Sequence, residues 1–294
     1  MGRGVRIAKA VVALGATSAA FSALVAPRRR DEELHARWEK LCAYRYAHRG
    51  LHDNRTPAPE NSLAAFTLAR EWGYGSELDV HLSSDGELVI IHDSDLRRAC
   101  DVGGTVEEMT CASLQELPLF GTHEHIPTLS QVLDVYEGGA GECLPLVVEL
   151  KTHGANYPEL TEKTLALLDA HSVPYCVESF DPRVLWWLRK NRPDVIRGQL
   201  SEHFVIDKDS KLSFVRGALH GALLFNVFAR PDFVAYRFEH RYHPAVLLAC
   251  GVLGAWRVYW TVGSEDDLTE ADRKDAVSIF EGFMPLPMRS KGEC

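Results

Sequence analysis

Residues 75–93 read G-S-E-L-D-V-H-L-S-S-D-G-E-L-V-I-I-H-D, a stretch that sets acidic and imidazole side chains into two apolar runs. A short segment containing Ser84-Asp85-Gly86 separates the two runs. A parallel crossover needs a dozen or more residues, so the runs are predicted to form a β-hairpin. A turn centred after Asp85 pairs Asp79 with His92, which brings a carboxylate and an imidazole together.

Two acids in this stretch are candidate metal ligands. Glu77 and Asp79 are two residues apart on a predicted strand, so both carboxylates lie on one face. Glu149 ends another apolar run in the same manner. Buried carboxylates are costly unless a cation or proton lies between them, and three oxygen donors suit Mg²⁺ or Ca²⁺ better than Zn²⁺. The alternative is a set of structural carboxylates paired with Lys151 or Arg49.

Two histidines are candidates for proton transfer. His48 ends the first predicted strand and His92 ends the third. Imidazoles have an unperturbed pKa of about 6.5, which suits a general acid and a general base at neutral pH. Arg49 offers a planar fork for phosphate oxygens, and Lys151 offers a point charge. The alternative is that each histidine is only hydrogen-bonded at its strand end.

Three further residues are candidates for the rim of a substrate site. Glu60 and Asn61 introduce a predicted helix, where Asn61 or Ser62 can instead be a helix cap. Trp260 lies near the end of a late apolar run and can cover the apolar side of a polyol or belong to the core. The cluster at 239–243 lacks strand alternation and is not assigned to the site.

The arrangement of apolar runs predicts the fold. From residue 44 onward, β-rich runs alternate with amphipathic helical patterns, which is typical of parallel βα units. Eight or nine strands in about 250 residues fit a closed (β/α)₈ TIM barrel better than a doubly wound sheet, with residues 93–125 as a small insertion. Extended runs are predicted at 44–48, 75–80, 88–92, 144–150, 175–180, 196–200, 222–227, 257–262 and 276–280.

The N-terminal thirty residues form a separate unit of the sequence. Basic residues flank a moderately apolar run over 10–27, and about 18 residues just span a ~30 Å hydrocarbon core. We expect an uncleaved hydrophobic helix that associates the protein with a membrane through residues 8–27, on a side that the flanking charges leave open. The alternatives are a cleaved signal peptide and an Ala-rich helix lying on the protein or on the bilayer surface. Residues 31–42 are expected to connect this segment to a barrel at 43–294.

The net charge excludes one class of function. The 294-residue chain carries a formal charge of −9, whereas a general nucleic-acid-binding protein normally presents a basic face. A phosphate substrate is still compatible with this charge, because a bound cation and a few basic residues reverse the sign locally. The chain also has no Gly-rich dinucleotide fingerprint and no P-loop.

Taken together, these motifs resemble the glycerophosphodiester phosphodiesterase family. The likeness runs from about residue 43 to residue 280, in the family's order and spacing. The motifs that carry it are A-H-R-G (47–50), P-E-N-S (59–62), E-L-D-V (77–80), S-D-G-E-L-V-I-I-H-D (84–93), V-E-E-M-T (106–110), I-P-T-L-S-Q-V-L (126–133), V-E-L-K (148–151), V-E-S-F-D-P (177–182) and Y-W-T-V (259–262).

The resemblance implies a TIM barrel that hydrolyses glycerophosphodiesters to sn-glycerol 3-phosphate and an alcohol, a reaction of lipid metabolism. It implies that His48 and His92 are the acid/base pair. It implies that Glu77, Asp79 and Glu149 hold a divalent cation. It also implies that Arg49 and Lys151 bind the phosphate and that Glu60 helps to order the site.

Two departures from the family pattern concern the alcohol group rather than the reaction. Gly263 stands where the family often has Asn, and residues 278–283 read S-I-F-E-G-F. Two alternatives stay open. One is a related barrel phosphodiesterase of the lysophospholipase D or sphingomyelinase D type. The other is a membrane-tethered barrel that binds phosphodiesters without turnover.

Overall fold

The computed structural model describes Pro27 and residues 32–137, 143–204 and 214–287. The strands are β1 (Tyr46–Ala47), β2 (Gly75–Leu82), β3 (Leu88–Ile90), β4 (Leu146–Leu150), β5 (Tyr175–Ser179), β6 (Arg197–Ser201), β7 (Phe233–Arg237), β8 (Trp256–Val262) and β9 (Val277–Phe280). The α-helices are α1 (Glu32–Cys42), α2 (Leu63–Glu71), α3 (Arg97–Cys100), α4 (Cys111–Leu114), α5 (Leu129–Glu137), α6 (Tyr157–Asp169), α7 (Pro182–Asn191), α8 (Phe214–Gly221), α9 (Asn226–Ala229), α10 (Pro244–Val246) and α11 (Glu265–Asp272). Val106–Glu108 and Phe238–His240 are 3₁₀ turns, and Leu247–Val252 is a π-helix.

Eight of the strands close into a parallel barrel. The order of the sheet is β1-β9-β8-β7-β6-β5-β4-β2-β3, and β1 also pairs with β2, which completes the ring. The predicted TIM barrel is therefore confirmed. Because the strands are parallel, their carboxyl ends meet at one rim, where barrel enzymes place their functional side chains.

The predicted hairpin exists, but its register was wrong by one residue. Strand β3 pairs antiparallel with β2, and Val80 lies opposite Ile90. The sequence predicted Asp79 opposite His92. The register differs because the connecting loop is centred on Asp85, whereas the prediction centred it between Asp85 and Gly86.

The predicted strand at 222–227 was also wrong. Those residues form a turn and the start of α9, and the barrel strand is Phe233–Arg237, further along the chain. A short apolar run such as A-L-L-F-N-V does not distinguish a strand from a buried helix by periodicity alone.

Helix α1 closes the barrel at the end where the strands begin. The indole ring of Trp38 stacks on Trp256 with ring centroids 4.5 Å apart and on Phe233 at 5.5 Å. Trp256 and Phe233 are the first residues of β8 and β7. The Tyr46 hydroxyl donates a hydrogen bond to the Leu41 carbonyl at 2.7 Å. The segment predicted as a connector is thus a helix that packs on the barrel core.

The segment between β3 and α5 has a small core of its own. Helices α3 and α4 and the Val106–Glu108 turn bury apolar side chains together, including Val89, Ile91, Leu96, Val106, Leu114 and Ile126. This segment places Arg98 beside the barrel rim. The guanidinium of Arg98 there contacts the carboxylates of Glu60 and Asp93.

Of the predicted membrane segment at 8–27, all residues except Pro27 lie outside the described residues. Within the described ranges, no helix has both the length and the apolar character needed to cross a bilayer.

Candidate active site

The carboxyl ends of the barrel strands surround a cavity of about 360 Å³. Seven of the ten residues predicted for the site line this cavity: His48, Arg49, Glu77, His92, Glu149, Lys151 and Trp260. Asp79 does not line the cavity, but it is buried and lies close to Glu77 and Glu149. The cavity wall also includes Glu178, Phe180, Leu200, Glu202, Arg237 and Ile279.

The three predicted metal ligands converge. Glu77, Asp79 and Glu149 each offer a carboxylate oxygen, and these oxygens all lie within 4.8 Å of one another. The convergence follows from the sheet, because Asp79 on β2 is the register partner of Glu149 on β4. Three oxygen donors at this spacing are the ligand type that a hard divalent cation takes.

Burial and mutual repulsion shift the pKa values of this triad. Burial and the neighbouring carboxylates of Asp79 and Glu149 raise the pKa of Glu77 well above its usual range. Burial raises the pKa of Glu149 to about 7, although the Lys151 ammonium acts against this. Burial also acts to raise the pKa of Asp79, but Lys151 and nearby basic groups outweigh it, and the pKa lies well below its usual range. The raised pKa values show that Glu77 and Glu149 are costly to ionise in this environment. A nearby positive charge would stabilise the ionised form of the carboxylates.

Two side chains hold Asp79 in place. The Lys151 ammonium lies 3.0 Å from Asp79 Oδ1 and 2.8 Å from Glu149 Oε1. The Asn61 amide donates to Asp79 Oδ2 at 2.8 Å. Asn61 therefore faces the acid triad, and the cap of α2 is Ser62, whose hydroxyl accepts a hydrogen bond from the Ala65 amide.

The loop after β1 presents Arg49 to the acids. Its backbone amide donates to Glu77 Oε2 at 3.0 Å, and its guanidinium lies 2.9 Å from Glu60 Oε1. The loop then passes close to α2. Gly50 has a φ of +81°, and a Cβ there would lie 2.9 Å from the Ala65 backbone. Both the positive φ and the close approach to Ala65 require a glycine at this position, which explains the last residue of the A-H-R-G motif.

Glu60 lies behind the site rather than on its rim. It is buried and accepts hydrogen bonds from Arg49, Arg98 and Asn54. Burial would raise the pKa of Glu60, but hydrogen bonding to Arg98 and the charge of Arg49 lower it to about 2. The carboxylate is therefore ionised and fixes the guanidinium of Arg49 beside the cavity.

Both histidines in the cavity have a carboxylate on Nδ1. His48 Nδ1 lies 2.6 Å from Glu281 Oε2, and His92 Nδ1 lies 2.7 Å from Asp93 Oδ1. A carboxylate acceptor selects the tautomer with the proton on Nδ1 and leaves the Nε2 lone pair available. His48 Nε2 lies 3.9 Å from Glu77 Oε2.

The protein environment keeps both imidazoles neutral. Burial and the charge of Arg49 lower the pKa of His48. Burial and the charge of Lys151 lower the pKa of His92 to about 4. A neutral imidazole with its lone pair on Nε2 is a competent proton acceptor at neutral pH.

The acids that the sequence did not single out include Glu281 and Glu178. Glu281 follows β9 and is brought to His48 only by closure of the barrel. Glu178 lies on β5 as the register partner of Glu149, and its side chain is 1% exposed. Burial and the charge of Glu149 raise the pKa of Glu178 well above its usual range. The available signal was the acid that follows valine in V-E-S-F-D-P, because it repeats the pattern of the acid in V-E-L-K.

Comparison with known proteins identifies relatives of this chain. A curated glycerophosphodiester phosphodiesterase from Caldanaerobacter subterraneus subsp. tengcongensis is 29% identical over 231 residues, which cover 76% of this chain and 86% of the relative. The human protein glycerophosphodiester phosphodiesterase 1 is 32% identical over 164 residues, or 51% of this chain. That match spans 46% of the human protein, so the chain covers less than half of this relative.

Solved structures share the fold. A phosphodiesterase from Oleispira antarctica, solved in complex with the product sn-glycerol-3-phosphate, superposes with a TM-score of 0.65 at 24% identity and covers 83% of this chain and 94% of its own. A glycerophosphodiester phosphodiesterase from Thermotoga maritima has a TM-score of 0.58 at 25% identity, with coverages of 81% and 94%. The profile of the glycerophosphoryl diester phosphodiesterase family matches residues 48–234, and the chain belongs to this family.

Proposed function

We propose that this protein hydrolyses glycerophosphodiesters to sn-glycerol 3-phosphate and an alcohol, in a metal-dependent reaction with two-histidine acid/base catalysis. One observation carries the proposal. Two imidazoles, each with a carboxylate on Nδ1, line one cavity with Arg49, Lys151 and two acids of the triad. Family membership and the name of the Caldanaerobacter relative support the same activity.

The acid triad is the proposed metal centre. Glu77, Asp79 and Glu149 would hold the ion, and their oxygen donors favour Mg²⁺ or Ca²⁺. The fit is supported by burial, because all three carboxylates are less than 10% exposed and crowd one another. When bound there, a divalent cation polarises phosphoryl oxygens and offsets the charge of the carboxylates.

The basic groups would orient the phosphodiester. Arg49 lines the cavity with its guanidinium fixed by Glu60, and Lys151 lies between Asp79 and Glu149. A guanidinium pairs with two phosphate oxygens at once, whereas an ammonium acts as a point charge. Together they would hold the phosphate in the cavity that both histidines line.

The histidines would move the protons. One imidazole accepts at Nε2 the proton of the attacking hydroxyl or water, and the other donates a proton to the leaving alkoxide. The neutral state of His48 and His92 suits the first role. The negative charge of a bound phosphodiester raises the pKa of a nearby imidazole, which suits the second.

The proposal is tested by assaying the purified chain with glycerophosphocholine and Mg²⁺ or Ca²⁺, measuring release of sn-glycerol 3-phosphate. His48→Ala and His92→Ala should each lower the rate by at least ~100-fold. His123→Ala removes an exposed imidazole of the insertion and is the matched control. Rates that are equal in all four proteins would contradict the proposal, and binding without product release would favour a non-catalytic barrel.

A second candidate function is favoured by one feature of the rim. A groove of about 840 Å³ adjoins His92 and is walled in part by Phe180, Phe204 and Phe225. The three rings form one apolar side of a groove that also carries polar and charged residues, and an acyl chain could lie against them, as in a lysophospholipase D reaction. The same assay with lysophosphatidylcholine in place of glycerophosphocholine separates the two candidates.

Membrane association through residues 8–27 is a proposal from the sequence alone. It is tested by comparing sedimentation with vesicles for the full chain and for a chain that begins at Glu32. Equal sedimentation of the two proteins would contradict it.

A further inference from the structure

The two proposed proton-transfer histidines both lie just beyond the ends of their strands. Strand β1 ends at Ala47, and β3 ends at Ile90. In the described ranges, no backbone amide donates a hydrogen bond to the carbonyl of His48 or to that of His92. The sheet therefore does not hold these two carbonyls, although the main chain at this point determines where each imidazole can reach.

Another histidine, His81, reaches the carbonyl of His92. It follows Asp79 by two residues on β2, so its side chain continues the face that carries the acid triad. The residue is 3% exposed. Its Nε2 atom lies 3.3 Å from the His92 carbonyl oxygen, and its Nδ1 atom lies 2.8 Å from Glu107 Oε1. A carbonyl oxygen only accepts, so the Nε2–H of His81 is the donor in the first contact.

The insertion supplies the group that fixes the other side of the His81 ring. Glu107 lies in the Val106–Glu108 turn and also accepts a hydrogen bond from the Ser94 hydroxyl. Burial acts to raise the pKa of Glu107, but hydrogen bonds with His81 and Ser94 lower it to about 2. The insertion thus offers an ionised carboxylate, and His81 connects this carboxylate to the main chain of His92.

His52 makes the equivalent contact with His48. Its Nδ1 atom lies 2.9 Å from the His48 carbonyl oxygen and 3.2 Å from that of Gly50. Its Nε2 atom lies 3.8 Å from Glu281 Oε1, and the other oxygen of Glu281 lies 2.6 Å from His48 Nδ1. The side chain of His52 is 7% exposed. Both proposed proton-transfer residues therefore have a largely buried imidazole on their carbonyl and a carboxylate beside that imidazole.

We propose that His52 and His81 are positioning residues, which hold the main chain of His48 and His92 and so keep both imidazoles aligned for proton transfer. The inference rests on the proposed function, because it assigns a role in that reaction. A small misplacement of a reacting group can cost about 100-fold in rate. Neither His52 nor His81 contacts substrate in this assignment, so their loss should lower kcat without raising KM.

Two amide substitutions separate positioning from packing at His81. A glutamine places its amide nitrogen near the position of a histidine Nε2, and an asparagine places it near that of Nδ1. His81→Gln therefore keeps the donor to the His92 carbonyl, and His81→Asn keeps only the donor to Glu107. For glycerophosphocholine, kcat should stay within about 3-fold of the parent in His81→Gln and fall at least about 10-fold in His81→Asn, with KM unchanged in both.

At His52 the order of the two variants should be reversed, because this ring uses Nδ1 for the carbonyl. We expect His52→Asn to keep kcat within about 3-fold of the parent and His52→Gln to lower it at least about 10-fold. His153→Ala is the matched control, because it removes a 57% exposed imidazole that lies 3.6 Å from Glu107 Oε2. Its kcat should equal that of the parent. A general loss of packing would not produce opposite orders at the two positions.

Equal kcat values for the Asn and Gln variants at each position overturn the inference, and so does a loss confined to KM. A higher kcat in His81→Asn than in His81→Gln also overturns it, since that result assigns His81 to the support of Glu107 rather than of His92. Each position is decided by its own pair of variants. The His52 pair therefore provides an independent result if the His81 variants do not fold.

Nuclear magnetic resonance makes the inference testable without turnover. The carbonyl ¹³C resonances of His48 and His92 report hydrogen bonding to those oxygens. The His92 resonance should move more in His81→Asn than in His81→Gln, and the His48 resonance should move more in His52→Gln than in His52→Asn. A parent that hydrolyses glycerophosphocholine but lacks both this pattern and the kcat pattern contradicts the inference alone. The resonance pattern in a parent that hydrolyses no diester contradicts the proposed function alone.

Discussion

His48 Nδ1 lies 2.6 Å from Oε2 of Glu281, a residue 233 positions later in the chain. The contact exists because β1 and β9 are neighbours in the closed barrel, with Ala47 in register with Phe280. A carboxylate in this position orients an imidazole and selects its tautomer. Glu281 thus positions a proposed catalytic residue through the topology of the fold rather than through local sequence.

The first prediction concerns this contact. Glu281→Ala should lower kcat at least about 10-fold with little change in KM, because acid/base catalysis is worth about 100- to 10,000-fold and a misplaced imidazole forfeits part of it. Glu281→Asp should recover part of the loss. Glu265→Ala, which removes an exposed acid nearby in sequence, is the control. A rise in KM alone would mean that Glu281 binds substrate instead.

The second prediction concerns the metal centre. Dialysis against a chelator should abolish phosphodiesterase activity, and Mg²⁺ or Ca²⁺ should restore it. Asp79→Asn should lower activity at least about 100-fold and raise the cation concentration needed for half-activation, because one oxygen donor loses its charge. Asp134→Asn changes an exposed carboxylate and should have no effect. Full activity after removal of all divalent cations would contradict the assignment.

The third prediction is a pH dependence of stability. The pKa of Glu60 falls from an ordinary 4.5 to about 2 on folding. A carboxyl group whose pKa is lower in the folded state than in the unfolded state stabilises the folded state. This stabilisation is complete at a pH above the unfolded-state pKa, and it is lost as the pH falls from about 4.5 toward 2. Glu60→Gln should therefore cost up to about 3 kcal/mol at pH 7, and the difference from the parent should shrink at pH 3. Urea unfolding at the two pH values measures this, and a difference that grows in acid would contradict it.

The fourth prediction concerns α1. Trp38→Ala should lower the free energy of unfolding by about 3 to 5 kcal/mol, because it removes a buried aromatic ring that stacks on Trp256 and Phe233. Activity per folded molecule should be unchanged, since the helix lies at the opposite end from the cavity. Glu39→Ala on the exposed face of the same helix should change stability by less than about 0.5 kcal/mol. A large loss of kcat in folded Trp38→Ala protein would contradict this view of the helix.

The acid triad could be predicted because the direction of side chains along a strand follows from their spacing in the sequence. Glu77 and Asp79 share a face by period two, and Glu149 lies near the end of the next parallel strand, in register with Asp79. The barrel followed from the alternation of strand and helix patterns. By contrast, the hairpin register depended on where one loop is centred, and a shift of one residue moved the predicted partner of Asp79.

Other features depend on long-range packing, to which a pattern of residues gives no access. Asn61 was weighed as a helix cap or a rim residue, but its amide contacts Asp79 on a neighbouring strand. Glu281 meets His48 only when the barrel closes. The apolar run at 222–227 was predicted as a strand, but it forms a turn and the start of α9, because periodicity in so short a run does not distinguish a strand from a helix.

The position of α1 also determines the end of the barrel at which a segment joined to this helix would be attached. This helix lies across the ends where the strands begin, whereas the cavity opens where they finish. Five-residue strands extend roughly 16 Å, at about 3.3 Å per residue. A tether joined at Glu32 would thus be attached to the helix at the base of the barrel, and the cavity lies at the opposite end of the strands.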